Sequence, residues 1–359
     1  MKTYTMMDYI QEVPKTALYN IEHYQSLVSP LSTIIEIESL QTLWLVASGS
    51  SYNACIMASY FMKEQLACDI KVVTPYTFTN YTNDIKEEDV IIVVSQSGFS
   101  TNALEALQFA KDKGFAPIAL TGNKNSDIKE YANTVIEYGV GEELVGYVTK
   151  GVTTLVLFLL LFTIEKSGQT QYLNDFKKAI RLNQEVLDKT IPFINTHYKS
   201  FTSMHQCYLL GAGQSTGVCL EGALKIGELV HIPSNFYEIE EYIHGPNFQL
   251  NPNYTVLFFD NNDSTSTRVN AIYQATTSVT DHTFILTTNK AYQEDCHALV
   301  ISETIESSLL PLVYLPFIQL ISYIVSNDTH VKMQHPLMKR FNQLVSSKTD
   351  SYENYDEDL

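Results

Sequence analysis

The chain repeats itself, and this repeat restricts its fold more than any other feature. Trp44-Leu-Val-Ala-Ser-Gly-Ser-Ser-Tyr-Asn-Ala-Cys55 can be laid on Tyr208-Leu-Leu-Gly-Ala-Gly-Gln-Ser-Thr-Gly-Val-Cys219. Leu, Gly, Ser and Cys coincide, and both stretches open on an aromatic residue. Further on, Leu120-Thr-Gly-Asn-Lys124 matches Leu286-Thr-Thr-Asn-Lys290 in four of five places. Both pairs are separated by about 165 residues, so a duplicated domain is expected, with a period too long for a solenoid.

Each copy alternates short apolar runs with helical stretches. Strand-like runs in the first copy are Leu43–Ala47, Ile70–Thr74, Val90–Val94, Pro117–Thr121 and Thr134–Tyr138. Helical patterns lie at Tyr52–Gln65, Asn102–Lys113 and near 150–166. The second copy has runs at Cys207–Gly211, Phe236–Ile239, Val256–Phe259, Thr283–Thr287 and Leu299–Ile301. Its helical patterns lie at Gly217–His231, about 265–276 and 308–326. Strands that alternate with helices, several of them continuously apolar, indicate an α/β fold with parallel sheets covered on both faces. The expected organisation is an N-terminal helical segment at 1–30, a first domain at 31–167 and a helical connector at 168–200. A second domain follows at 201–335, then a tail at 336–359 whose acidic end, Asp350–Leu359, is expected to fray.

Charge removes several function classes. With 23 Lys+Arg against 40 Asp+Glu the formal net charge is −17, which disfavours nucleic acid and anionic membrane surfaces as partners. The five cysteines, Cys55, Cys68, Cys207, Cys219 and Cys296, form no CxxC pair. Neither a zinc site nor a disulfide framework is expected, and three of them sit in apolar patterns as reduced core residues. No metal and no cofactor is assigned. The N-terminal stretch lacks an apolar signal-peptide core, so the cytoplasm is the expected compartment. Val152–Ile164 is strongly apolar but shorter than the ~20 residues of a bilayer span, and reads as a buried helix.

Open parallel sheets bind ligands at the carboxyl ends of their strands. Two such places in the first copy are rich in Ser and Gly: Ser48-Gly49-Ser50-Ser51, and Ser95-Gln96-Ser97-Gly98-Phe99-Ser100-Thr101. Hydroxyls, backbone amides and a helix N-terminus together cradle an anion. No Walker lysine and no GxGxxG accompany them, which suits a phosphate monoester better than a nucleoside triphosphate. Plain turn and N-cap chemistry would use the same residues.

In the second copy the corresponding loop leads into Glu221-Gly-Ala-Leu-Lys-Ile-Gly-Glu228, which sets Glu221, Lys225 and Glu228 on one helical face. Downstream, Tyr237-Glu-Ile-Glu-Glu-Tyr-Ile-His244-Gly-Pro246 is rich in carboxylates and ends in a His-Gly-Pro turn. Taken singly, these fit an ordinary surface ion pair and an ordinary turn.

Taken together, they resemble the tandem SIS (sugar isomerase) domain family. The similarity is to the isomerase half of glucosamine-6-phosphate synthase and to fructosamine-6-phosphate deglycases. The (C/S)GTS-like and SQSGET-like loops of that family correspond to Ser48–Ser51 and Ser95–Ser100. Its LEGALKLKE motif corresponds to Leu220–Glu228, and its GELKHGP motif to Glu240–Pro246. The resemblance implies two tandem SIS domains, each a flavodoxin-like α/β/α sandwich. It implies a sugar phosphate held by Ser51, Ser95, Gln96, Ser97 and Ser100, with Ser50 on a sugar hydroxyl. It makes Glu228 the base for proton transfer between C1 and C2, with His244 acting on ring opening or the leaving group. Glu221 and Lys225 complete the catalytic set. In the family the histidine comes from the neighbouring subunit, so a homodimer or dimer of dimers is expected.

The departures narrow the expectation. No glutaminase domain and no cysteine at position 2 are present, so glutamine is not expected as the ammonia source. Phe99 replaces the acidic residue of the SQSGET loop, and the lysine of the family's NLAKSVTVE-like tail has no aligned counterpart. Lys348, two positions away, is expected to be a surface lysine. The implied function is an enzyme acting on an amino- or aminoacyl-linked hexose 6-phosphate, a deglycase or deaminase/isomerase, with ketosamine cleavage preferred. A sugar-phosphate sensor is the alternative. Residues near Phe99, Glu142–Tyr147 and Glu238–Tyr242 are expected to choose the substrate.

Overall fold

A computed structural model describes residues 4–330, 335 and 337–353. It contains two five-stranded, wholly parallel sheets. The first is built from β1 (Thr42–Ala47), β2 (Asp69–Val73), β3 (Val90–Ser95), β4 (Ile118–Thr121) and β5 (Thr134–Glu137). The second comprises β6 (Cys207–Gly211), β7 (Ser234–Glu238), β8 (Thr255–Phe259), β9 (Thr283–Thr287) and β10 (Ala298–Val300). The strand orders are β2-β1-β3-β4-β5 and β7-β6-β8-β9-β10, the same order twice. This is the flavodoxin-like order, and each sheet has its switch point between its first and third strands. The duplication read from the sequence is therefore a duplication of topology. Its second matching pair, Leu120–Lys124 and Leu286–Lys290, begins within β4 and β9 respectively.

The chain forms two compact units. One contains Met1–Tyr4, Lys15–Tyr172 and Lys332–Leu359; the other contains Thr5–Pro14 and Leu173–Val331. Central strands are apolar on both faces because helices cover both. In β1 every residue is buried. Trp44 and Val46 point to one face, with Ile91, Val93, Phe78, Leu104 and Leu107. On the same unit, the helix Gly49–Gln65 packs against the helix Lys150–Ser167. The latter is buried at every position from Lys150 to Ile164, so the apolar run Val152–Ile164 is a core helix, as expected. Burying each such Leu or Phe contributes about 1.5–3 kcal/mol. Trp44 also satisfies its one polar atom inside, with Nε1 donating to Asp89 Oδ2 at 2.9 Å.

The second unit repeats the arrangement, with the helix Thr216–Val230 packed on the helix Leu310–Asp328. Gly222 allows this close approach, because a Cβ there would lie 2.3 Å from Leu209 and 2.9 Å from Ile318. Among the described residues, one helical stretch, Ser307–Asp328, is long and apolar enough to cross a membrane; 89% of its most apolar window is buried inside the structure. Cys55, Cys207 and Cys219 are buried free thiols. Burial pushes the Cys55 thiol up to about 12 and raises that of Cys207 further. The acidic end is not wholly frayed: Tyr352 docks on Phe99, with ring centroids 5.8 Å apart. Residues 354–359 of that expectation lie outside the described residues.

Candidate functional site

The serine-rich loops lie at the switch point of the first sheet. β1 ends at Ala47, and the backbone turns through Ser48 and Gly49 into the helix Gly49–Gln65. Ser50 and Ser51, in its first turn, are both buried. The neighbouring strand β3 ends at Ser95, and Ser100 stands just before the helix Thr101–Asp112. Asn102 Nδ2 donates to Ser48 Oγ at 2.9 Å and ties the two loops together. Gly98 makes the second turn possible. Its φ is +71°, and a Cβ there would lie 1.8 Å from Ser126 Oγ.

The hydroxyls of this second loop differ in their surroundings. Ser95 is 5% exposed, and its Oγ has no hydrogen-bond partner. It is one of several buried side-chain polar atoms left without a partner among the described residues. Ser97 Oγ accepts from the Phe99 amide at 3.3 Å. Gln96 Oε1 accepts from Tyr138 Oη at 3.1 Å. Its side chain also packs on Gly151, where a Cβ would lie 1.8 Å from Gln96 Oε1. Gln96 therefore supports the loop through its side chain.

Lys348 corrects the expectation of a surface lysine. It is half-buried, and its Nζ donates to Ser97 Oγ at 2.8 Å and to Ser100 Oγ at 3.1 Å. Desolvation holds its ammonium below the usual lysine range. The physical reason is backbone pairing: Ser100 and Lys348 form an antiparallel bridge. Position 348 lies far along the chain from position 97, so no local pattern around either residue announces the contact. The offset of two from the related tail lysine was the only signal.

In the second unit the helix Thr216–Val230 carries Glu221, Lys225 and Glu228. Glu221 is fully buried and Lys225 is 1% exposed, so this is no ordinary surface pair. Lys225 Nζ lies 2.8 Å from Glu228 Oε2 and 3.5 Å from Glu221 Oε1. Burial depresses the lysine, but the two carboxylates outweigh it and hold its pKa above the usual value. The Glu228 side chain is 35% exposed, so the ammonium anchors a carboxylate that solvent or substrate can reach.

The helix stops at His231, which adopts φ +58° just ahead of Pro233, and the chain enters β7. Beyond it, Glu238 Oε2 accepts from the amides of Glu240 and Glu241 at 2.8 and 3.2 Å. Glu240 pairs with Arg268, whose guanidinium lowers its carboxyl below the usual range. Glu238 thus builds the turn, and Glu240 ties it to Arg268. His244 is exposed at the end of that turn, and Gly245 follows at φ +143°. Among the described residues no hydrogen bond joins His244 to Glu228. Glu143, in the segment expected to choose substrate, is also committed. Its carboxylate accepts from the Thr149 and Gly151 amides, the latter at 2.7 Å, at the start of the helix Lys150–Ser167. A carboxylate suits the positive end of a helix.

Among the described residues, Asp295, Cys296 and His297 bring potential metal-ligand atoms within 4.8 Å of one another. Asp295 is already engaged, accepting from Tyr273 Oη at 2.8 Å and from the His297 amide at 2.9 Å.

Comparison with known proteins agrees with this layout. The SIS domain profile matches residues 36–164 and 200–323. Glutamine–fructose-6-phosphate aminotransferase (isomerizing) from Thermotoga maritima is 24% identical over 318 residues, 86% of this chain and 51% of that protein. The chain spans about half the length of such curated relatives. Among solved structures, one from Clostridium difficile 630, named provisionally as a phosphosugar isomerase, superposes with a TM-score of 0.85 at 25% identity. It covers 96% of this chain and 99% of its own. The C-terminal domain of glucosamine-fructose-6-phosphate aminotransferase from Francisella tularensis has the same fold, with a TM-score of 0.80 at 21% identity, covering 90% and 96%. With two matched segments covering most of its length and the same sheet built twice, the chain belongs to the SIS domain family.

Proposed function

We propose that the protein is an enzyme of amino- or aminoacyl-linked hexose 6-phosphates that moves a proton between C1 and C2. The observation that carries this is Glu228, a half-exposed carboxylate held at 2.8 Å by a buried ammonium. A binding module has no need of a reachable, fixed carboxylate beside a buried charge, whereas proton transfer at carbon requires one. For a C1-linked ketosamine, Glu228 takes the C1 proton to give an enaminol. Reprotonation at C2 leaves a C1 imine, and water hydrolyses that imine to the aldose 6-phosphate and free amine. His244 protonates the leaving nitrogen or opens the ring, since an imidazole can both donate and accept a proton. The phosphate sits on Ser51, Ser95, Ser97 and Ser100, with Ser50 on a sugar hydroxyl; the orphaned Ser95 Oγ supports that placement.

A homodimer belongs to the same reading. His244 is exposed, and Phe248, on the next turn, is 89% exposed, as expected of residues that meet a second copy. A reducing, cytoplasmic setting also fits, with all five cysteines free.

The test is a screen of C1-amine-linked 6-phosphosugars for amine release, with exchange of the C1 and C2 protons followed by NMR in heavy water. Exchange or release that depends on the 6-phosphate supports the reading. Tight phosphosugar binding with neither exchange nor release favours the sensor instead.

A further inference from the structure

We propose that Lys348 is a phosphate-binding residue, delivered to the serine loop by the segment Ser346–Tyr352 and clamped there by Phe99 against Tyr352. The inference rests on the phosphosugar reading and adds the cation which that reading lacks. The serine loop offers hydroxyls and a helix N-terminus, equivalent to about half a unit charge, against a ligand carrying up to two negative charges.

The backbone fixes the register of the delivery. The Thr101 amide donates to Ser347 O at 3.2 Å and the Thr349 amide donates to Phe99 O at 3.0 Å, on either side of the Ser100–Lys348 bridge. That pairing puts Lys348 Nζ on Ser97 and Ser100, two of the hydroxyls assigned to the phosphate. An ammonium has three N–H donors. Two point at these hydroxyls, and the head lies 5.0 Å from the Tyr352 ring. The ring in turn meets Phe99 at 57°. Among the described residues no carboxylate is paired with Lys348, and burial alone accounts for its lowered pKa. The side chain is thus an uncompensated, partly desolvated cation, the state that an arriving anion relieves. An aromatic residue at 99, where the related motif carries an acid, agrees with this. A carboxylate there would compete for the ammonium, whereas Phe99 anchors the ring that flanks it.

Lys348 is assigned to ligand contact; Phe99 and Tyr352 are positioning residues. The experiment is calorimetric titration of the full chain with glucose 6-phosphate and with inorganic phosphate, using glucose as the uncharged control. Losing a charge-assisted contact to phosphate weakens binding by roughly 10- to 100-fold. Lys348→Met is expected to show that loss for both phosphates and no change for glucose, while Lys348→Arg stays within several-fold of wild type. Lys348→Gln serves if the Met variant does not fold. Tyr352→Ala is expected to weaken phosphate binding and Tyr352→Phe to restore it, which a merely structural tyrosine hydroxyl would not do. Unchanged or tighter binding by Lys348→Met, with Ser97→Ala weakened, overturns the lysine assignment and leaves the phosphosugar reading standing. Failure of the folded wild-type chain to bind either phosphate overturns both.

Discussion

Lys225 Nζ stands between two carboxylates of its own helix, 2.8 Å from Glu228 and 3.5 Å from Glu221, and only Glu228 reaches solvent. In the proposed reaction the exposed carboxylate of this triad is the base, and its buried partners hold it in place. Glu228→Gln keeps the side chain's size but cannot accept a proton at neutral pH. Turnover of a phosphosugar substrate is expected to fall on the order of 10²–10⁴-fold. Stabilisation by the phosphosugar should persist, since the serine hydroxyls are untouched. Near-wild-type turnover in a folded variant would refute the assignment.

The buried half predicts a different outcome. Lys225→Met removes the ammonium beside Glu221 in the core, and breaking such a pair costs about 3–5 kcal/mol. The lysine's folded pKa is raised above its ordinary value of 10.5. The stability it contributes is therefore fully present below about pH 10.5 and is lost as pH rises through the folded value. The melting-temperature gap between wild type and Lys225→Met should be level from pH 6 to 9 and shrink above pH 10.5. A gap that instead opens with rising pH would contradict the pairing.

Much of this was legible beforehand, for identifiable reasons. β1 and β3 are continuously apolar because helices cover both faces, so Leu43–Ala47 and Val90–Val94 read as buried strands without any structure. Glu221, Lys225 and Glu228 share a helical face by simple periodicity. Periodicity does not tell which face is turned inward, so the burial of Glu221 and Lys225 was not legible. Side-chain direction in loops was equally hidden: Glu143 and Glu238, in segments expected to choose the substrate, hold backbone amides. The burial of Lys348 on Ser97 and Ser100 was not legible, because a contact between chain positions so far apart leaves no local pattern. The helix Pro75–Tyr81 was also missed, since its Thr- and Tyr-rich stretch carries little apolar periodicity.

Ser97 and Ser95 separate two kinds of hydroxyl. If Ser97 holds the phosphate as proposed, Ser97→Ala removes a contact to a charged, non-reacting group, worth about 1.5–3 kcal/mol. KM for a phosphosugar should rise more than kcat falls, because uniform binding is what is lost. An unchanged KM removes Ser97 from the site.

Ser95→Ala should behave differently in the free protein. Its Oγ is buried without a partner, so deleting it removes a polar group that had been desolvated without compensation. The ligand-free melting temperature should stay level or rise slightly. The rise produced by glucose 6-phosphate should shrink, since stabilisation by a ligand follows RT ln(1 + [L]/Kd). A variant destabilised without ligand yet stabilised normally by it would make Ser95 a structural residue.

Phe248 tests the assembly. An aromatic side chain 89% exposed, four residues from His244, is expected to be covered by a second copy. Phe248→Asp puts a charge where the contact would be desolvated, so the dimer's dissociation constant should rise by at least tenfold in sedimentation velocity. If His244 acts in the partner's site, activity per chain should fall with dilution for Phe248→Asp at concentrations where wild type is unaffected. Each single-chain unit should keep its melting behaviour, because Phe248 packs into no described core cluster. A Phe248→Asp chain that sediments as wild type and keeps its activity on dilution would place the contact elsewhere. A wild-type chain that is monomeric while fully active would show that His244 serves its own subunit.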